Sequence, residues 1–337
     1  MNSQPFVSVL MPVFNGAAYV KESIESILNQ TYTNFEFIIV NDGSTDSTED
    51  IIKSIDDPRI ILENNPQNLG VIASLNRGLD LIKGKYIVRI DADDISFPDR
   101  IEKQIEYLEA NLEVGLIGSW FEKFGENIES TIIKYKTDDT EIRIQHLYQD
   151  QVAAPTTIFR SSVLHENQLR YNPQYYSAED YDFHVELSRH CKQYNLPILL
   201  TRKRDHPQNT NNLRPHIMED NSLLIRQIQF KRMGVDMSLD EVRLYCKFAY
   251  AEFDFNSSIM DQLTNLLNRI LNANEQTEFI PKQAYRAYLA SHFFHLCYNN
   301  PLIGKQGWTY FSKAPFSKFY HPLLFEKLKF RLKTLIA

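Results

Sequence analysis

Apolar positions in the first third of the chain alternate between two kinds of run. Val7–Val13 is apolar throughout except Ser8, the pattern of a strand buried on both faces. Apolar residues then recur at Tyr19/Val20, Ile24 and Ile27/Leu28, which predicts a helix over Ala17–Gln30. Phe35–Val40 reads as a second strand, closed by the turn Asn41-Asp-Gly-Ser44, after which Asp46 or Ser47 caps a helix toward Ile55. A short strand at Arg59–Leu62 and an amphipathic helix over Leu69–Ile82 follow. Strand Tyr86–Ile90 then runs directly into Asp91-Ala-Asp-Asp94, and a helix runs from Pro98 to about Asn111. Short strands joined by short crossover helices predict an α/β fold, a mostly parallel sheet covered on both faces. Such sheets bind ligands at the carboxyl ends of their strands, near a topological switch point.

The middle of the chain is less regular. Strand signals at Val114–Ile117, Thr131–Tyr135, Thr156–Phe159 and Leu196–Leu200 mix with helices at Thr140–Tyr148 and Asp180–Gln193, and from about Arg214 the pattern is helix after helix. The polar run Pro207–Asn212 reads as a linker. This predicts a catalytic domain over 1–212, with a nucleotide half to about 112 and an acceptor half over 113–212, then a helical region over 213–337. At 337 residues, two domains and a large core are expected. Cys191, Cys246 and Cys297 are widely spaced, which excludes a disulfide framework or cysteine-rich zinc site. With no basic segment at the start and Val7–Phe14 too short to span a bilayer, a cytoplasmic location is expected. The net charge of −7 argues against nucleic acid as a partner.

Carboxylates at strand ends carry the chemistry. Asp42 follows one parallel strand and Asp91, Asp93 and Asp94 follow another, so both groups belong to one rim. Three acids in four residues repel unless something positive lies between them. Mg²⁺ or Mn²⁺, hard cations that take carboxylate oxygens and often bridge phosphates, would serve. Neither GxGxxG nor GxxxxGK[ST] occurs, so a bound diphosphate would be held through a cation rather than a glycine-lined helix start. Glu179-Asp-Tyr-Asp182 opens a helix, where acids also simply complement the macrodipole. Arg204-Asp-His206 follows the last strand of the region.

Pro12-Val-Phe-Asn15, Asn41-Asp-Gly-Ser-Thr-Asp46, Asn68-Leu-Gly70, Asp91-Ala-Asp-Asp94 and Ala178-Glu-Asp-Tyr-Asp182, in this order, resemble the family-2 glycosyltransferases, inverting enzymes with a GT-A fold. The resemblance covers about residues 6–210. It implies that Pro12, Val13, Phe14 and Asn15 lie against the nucleoside and that Asp42 contacts the base. Asp93 would be the main metal ligand, with Asp91 near the ribose or metal and Asp94 in the donor site. Asp180 would be the general base, with Arg204 and His206 near the diphosphate and His206 able to serve as a further metal ligand. Asn76 matches a donor-side asparagine. The implied donor is a nucleoside-diphosphate sugar, most often a UDP-sugar, and the acceptor a glycan or lipid-linked glycan. Two positions depart from the family pattern. Leu75 replaces an arginine, with Arg77 two places on, and Ala154 replaces a histidine. A sugar-1-phosphate nucleotidyltransferase would have a Gly-rich loop after the first strand, and a non-catalytic nucleotide-sugar-binding relative would lack the DxD or the base.

The stretch 305–337 differs from the rest. It holds seven basic residues and one acid, a net +6, so residues 1–304 carry −13. Eight aromatics interleave with the cations: Trp308, Tyr310, Phe311, Phe316, Phe319, Tyr320, Phe325 and Phe330. Rings beside cations suit an anionic membrane surface, here the inner face of the cell membrane; packing of the rings on the helical region is the alternative. Leu324, Leu328, Leu332 and Leu335 would form one helical stripe.

Overall fold

The computed structural model describes residues 4–126, 128–209, 214–252 and 255–336. It divides into two compact units, Met1–Ile142 with Asp150–Ser222, and Arg143–Gln149 with Leu223–Ala337. The division falls at Ser222/Leu223, ten residues beyond the position expected from the sequence. Thr210–Asn212 of the expected linker lie outside the described residues.

The first unit follows the predicted alternation closely: β1 (Val7–Val13), α1 (Val20–Leu28), β2 (Phe35–Asn41), α2 (Thr48–Lys53), β3 (Ile60–Asn64), α3 (Val71–Leu81), β4 (Tyr86–Arg89), β5 (Ile95–Ser96) and α4 (Arg100–Ala110). Next come β6 (Val114–Gly125), β7 (Ile128–Ile133), α5 (Asp139–Gln145), β8 (Ile158–Arg160), α6 (Ser161–Asn167), α7 (Glu179–Leu187) and β9 (Lys192–Arg204). Among the described residues these strands form one sheet in the order β3-β2-β1-β4-β8-β6-β9-β5, with β7 on β6. β3, β2, β1 and β4 are parallel, β8 is antiparallel to both its neighbours, and β6 and β9 are parallel again. The chain winds outward from β1 to β3 and then crosses back to β4, so the switch point lies between β1 and β4.

Period-two alternation assigns each strand residue a face. Val7, Val9, Met11, Phe37, Ile39 and Val88 pack under α1 and α4, whereas Leu10, Ile38, Val40 and Ile87 pack under α3 and α7. Leu75 is fully buried in this second layer. The departure from the family pattern at 75 therefore places an apolar residue where α3 meets the sheet, and Arg77 faces elsewhere.

Two strands run further than the hydrophobic pattern predicts. β6 continues from Ile117 through Gly118 to Gly125. A Cβ on Gly118 would lie 2.2 Å from the Asn195 Oδ1 atom, so close strand packing requires the glycine that made the pattern look broken. β9 begins at Lys192, where the sequence predicts helix. Its buried polar residues hide it: the Asn195 Nδ2 atom donates to the carbonyls of Lys136 and Gln151, and the Gln193 amide to that of His184.

The second unit contains the latter part of α8 (Pro215–Met233), α9 (Leu239–Ala249), α10 (Ser257–Thr277), α11 (Lys282–Asn299), α12 (Gly307–Lys313) and α13 (Leu324–Ile336). A capping box of Ser238 and Glu241 starts α9. The core includes Phe230, Tyr245, Phe248, Leu267, Phe293 and Phe294. Trp308, Tyr310, Phe311, Phe316, Phe319, Tyr320 and Phe330 all pack on it, which corrects the expectation that the aromatics of 305–337 form an interfacial set. Only Phe325 of the eight is largely exposed.

The turn after β2 depends on Gly43, whose φ of +68° favours glycine and whose added Cβ would lie 2.4 Å from the Gln67 carbonyl carbon. Gly43→Ala should therefore lower stability by about 1–3 kcal/mol, read as a drop in melting temperature with an otherwise native circular-dichroism spectrum.

Candidate active site

The carboxyl ends of β1, β2 and β4 form one rim. The turns after β1 and β2 are tied together there. The Asn15 amide donates to the Ser44 Oγ atom (2.9 Å), the Thr45 amide to the Asn15 Oδ1 atom (2.9 Å), and the Ala17 amide to the Asp46 Oδ2 atom (3.1 Å). Asp42 is only 3% exposed. Its carboxylate accepts from the Asn65 side chain (2.7 Å) and from the Leu69 (2.9 Å) and Gly70 (2.8 Å) amides. An ionised carboxylate offers about four acceptor positions, so one remains. Arg77 joins this arrangement from α3, donating to Asn65 (2.8 Å) and Glu63 (2.6 Å). Arg77 thus steadies the side chain that steadies Asp42.

Four of the expected donor contacts are placed differently from the sequence reading. Pro12 and Val13 are buried strand residues, so of the first motif only Phe14, 46% exposed, and Asn15 present side chains to the rim. Asn76 has its amide spent on the backbone of Tyr171, donating to the carbonyl (2.9 Å) and accepting from the N–H (3.0 Å). The Arg204 guanidinium is spent on the Asp93 carbonyl (3.0 Å) and Glu22 (2.5 Å), lying over the rings of Tyr19 and Phe124. Both residues hold the site together rather than face into it.

Asp91, Asp93 and Asp94 bring carboxylate oxygens within 4.8 Å of one another. Their partners separate them. Asp91 pairs with Arg89 (2.7 Å). Asp93 meets the His206 Nε2 atom (2.9 Å) and the Asn209 side chain (3.1 Å). Asp94 accepts from the Arg204 backbone amide (2.7 Å) on one oxygen, and its other oxygen is buried with no partner. Burial and then Asp93 and Asp91 push the Asp94 carboxyl well above the ordinary range. Burial and then Asp91 raise Asp93, against the lowering effect of His206. A buried, unpartnered oxygen beside two more carboxylates is the donor set a hard divalent cation takes.

Asp180 stands in the first turn of α7 with one oxygen shut off from water and unpartnered. Burial raises its pKa, opposed by Arg89 and His184. Glu179 beside it is pushed up to about 8 by burial and by Asp180. Sequence reasoning missed the cations of this group. Arg89 is buried at the end of β4 and interacts electrostatically with both Asp91 and Asp180. Lys203 on β9 lies within electrostatic reach of Asp94, Asp91 and Asp180. His184, one turn beyond Asp180, pairs with Asp150 at 2.8 Å; burial disfavours its charge, but Asp150 outweighs this and raises its pKa. The available signal was a charged residue within an otherwise apolar strand, Tyr86-Ile-Val-Arg-Ile90.

Residues 8–166 match the profile of glycosyl transferase family 2. An uncharacterized glycosyltransferase of Haemophilus influenzae is 38% identical over 255 residues, 71% of this chain and 79% of that protein. The chain belongs to the family-2 glycosyltransferases. Its fold matches S. aureus TarS 1-349 in complex with UDP-GlcNAc, with a TM-score of 0.58 at 16% identity over 93% of this chain and 89% of that one. It also matches the mannosyltransferase PcManGT from Pyrobaculum calidifontis in complex with GDP-Man and Mn²⁺, with a TM-score of 0.54 at 15% identity over 98% and 88% of the two chains. The architecture of this family-2 glycosyltransferase is thus the GT-A fold followed by a helical region.

The electrostatics of the site predict how its stability depends on pH. Asp93, Asp94, Glu179 and Asp180 all have raised pKa values. Between the ordinary carboxylate value of about 4 and the Glu179 value of about 8, the folded state holds more protons than the unfolded, so stability falls as pH rises. The melting temperature in EDTA should fall by several degrees from about pH 5 to about pH 8, and millimolar MnCl₂ should restore most of the loss. A flat profile would contradict the burial of these charges.

Proposed function

We infer that this chain transfers a sugar from a nucleoside-diphosphate sugar, taken as a UDP-sugar, to a hydroxyl of a glycan or lipid-linked glycan, with inversion. The observation that carries this reading is a tight carboxylate cluster at the switch point with the unpartnered oxygen of Asp180 in the same electrostatic group. The family and the nucleotide-sugar complexes of its structural neighbours support it.

Phe14 offers an exposed ring for the nucleoside, and Asp42 has one acceptor position left for a donor group on the base. Asp93 and Asp91 would hold Mn²⁺ or Mg²⁺, with His206 beside them and Asp94 behind. A cation bound there supplies Lewis-acid stabilisation of the charge developing on the departing diphosphate. Asp180 accepts the proton of the acceptor hydroxyl as its oxygen bonds to the anomeric carbon. The bond from that carbon to the diphosphate oxygen breaks, and the nucleoside diphosphate leaves with the electron pair. Attack from the face opposite the leaving group inverts the centre in one displacement. Base assistance of this kind contributes about 10²–10⁴-fold, and orientation of donor and acceptor supplies much of the rest.

Asp180→Asn should reduce transfer by about 10²-fold or more while calorimetric affinity for UDP with Mn²⁺ stays within about twofold; full turnover in this variant would refute the base assignment. Asp93→Ala should abolish the Mn²⁺-dependent part of UDP binding measured by the same titration, and an unchanged isotherm would refute the ligand role.

A further inference from the structure

The seven aromatics that pack inward leave a different apolar surface on 305–337. Leu323, Leu324, Phe325, Leu328 and Leu332 are 72%, 75%, 72%, 53% and 57% exposed. At about 100° per residue along α13, Leu324, Leu328, Leu332 and Phe325 fall at about 0°, 40°, 80° and 100°, one continuous stripe. Cations flank it on both sides, with Lys327 and Arg331 at about 300° and 340° and Lys329 at about 140°. Phe330, at about 240°, points the opposite way. It is buried against Phe294, Tyr298 and Trp308, with ring centroids 5.2–5.5 Å apart, so the back of the helix is anchored to its own unit. The Lys333 and Leu335 side chains lie outside the described residues.

We propose that α13 is an interfacial helix that seats this chain on an anionic lipid surface. The stripe enters the boundary between acyl chains and headgroups while Lys327, Lys329 and Arg331 reach the lipid phosphates at its edges. Charge decides the occupant. The 305–337 stretch carries +6 and the remainder −13, so an anionic bilayer complements this surface, whereas a second copy would bring like charges to both flanks of one stripe. No helix among the described residues is long and apolar enough to cross a membrane, so the association is peripheral. The proposal does not depend on the transferase reading.

The full-length protein should float with vesicles of equimolar phosphatidylglycerol and phosphatidylcholine at least tenfold more than with phosphatidylcholine alone. Raising NaCl from about 0.1 to about 1 M, which shortens the screening length from about 10 to about 3 Å, should release much of it. Leu324→Asp/Leu328→Asp should abolish flotation, and Lys327→Glu/Lys329→Glu should remove the lipid preference. Leu324, Leu328 and Lys329 are exposed on α13 and Lys327 is half-exposed, so melting temperature and donor hydrolysis should stay unchanged in both variants. Absence of flotation, equal flotation with both vesicle types, or flotation unaffected by the aspartates would overturn the proposal. So would sedimentation equilibrium showing a dimer that the aspartates dissolve, since a second copy would then cover the stripe.

Discussion

Everything at the rim of the first unit depends on holding like charges close together. Asp91, Asp93 and Asp94 lie within hydrogen-bonding distance of a common centre, and Asp180 and Glu179 belong to the same electrostatic group. Such a set persists only if the fold supplies counter-charge from behind. Arg89 does so from inside β4, where its side chain is buried and one nitrogen holds Asp91 at 2.7 Å. Lys203 does so from β9. Topology makes the arrangement possible: β4 beside β1 delivers the acids at a switch point, and the last residues of β9 reach the turn after β4 through the Arg204 amide. One buried oxygen of Asp94 is left without a protein partner. The surrounding protein thereby balances part of the charge and leaves the remainder for a cation.

Much of this was legible in the sequence for a physical reason. A parallel strand buried on both faces reads as an uninterrupted apolar run, and its carboxyl end is marked by the first polar residues. Val7–Val13 and the acids at Asp42 and Asp91 were therefore placed from pattern alone. Elements that break the pattern were misread. β9 carries Gln193 and Asn195 indoors because backbone carbonyls accept from their side-chain N–H groups, a compensation invisible to hydropathy. β6 carries Gly118 because a neighbouring strand leaves no room for a Cβ. The donor motif was legible as a location but not as contacts. Pro12, Val13, Asn76 and Arg204 all lie near the site, yet strand burial or hydrogen bonds to the protein itself occupy them. Sequence spacing places a residue on an element and says little about which neighbour takes its polar atoms.

The same distinction explains 305–337. Aromatic content reported a packed core, since Phe316 and Phe330 are buried against Phe293 and Phe294. The exposed apolar surface is built from leucines on the opposite side of α13, the stripe of Leu324, Leu328 and Leu332 that helical spacing predicts within the period-two alternation of Lys327–Lys333. On a helix such alternation distributes cations to both edges of an apolar stripe rather than across it.

The neighbouring carboxyls at the start of α7 divide their labour through their surroundings. Glu179 is buried with an unpartnered oxygen, and burial together with Asp180 pushes it up to about 8, so it keeps its proton near neutrality. Asp180 feels the same burial but is offset by Arg89 and by His184, which Asp150 biases toward its charged form. The amino-terminal turn of α7 adds a further preference for negative charge. Two adjacent acids cannot both ionise cheaply in such a place; Arg89 favours charge on both, and His184 favours it on Asp180. A general base must be charged before the acceptor arrives and must be basic enough to take its proton. In the base role proposed for Asp180, burial raises its pKa and so favours the second property, while Arg89 and His184 oppose that rise and so favour the first. A Glu179 that keeps its proton near neutrality removes one like charge from beside Asp180.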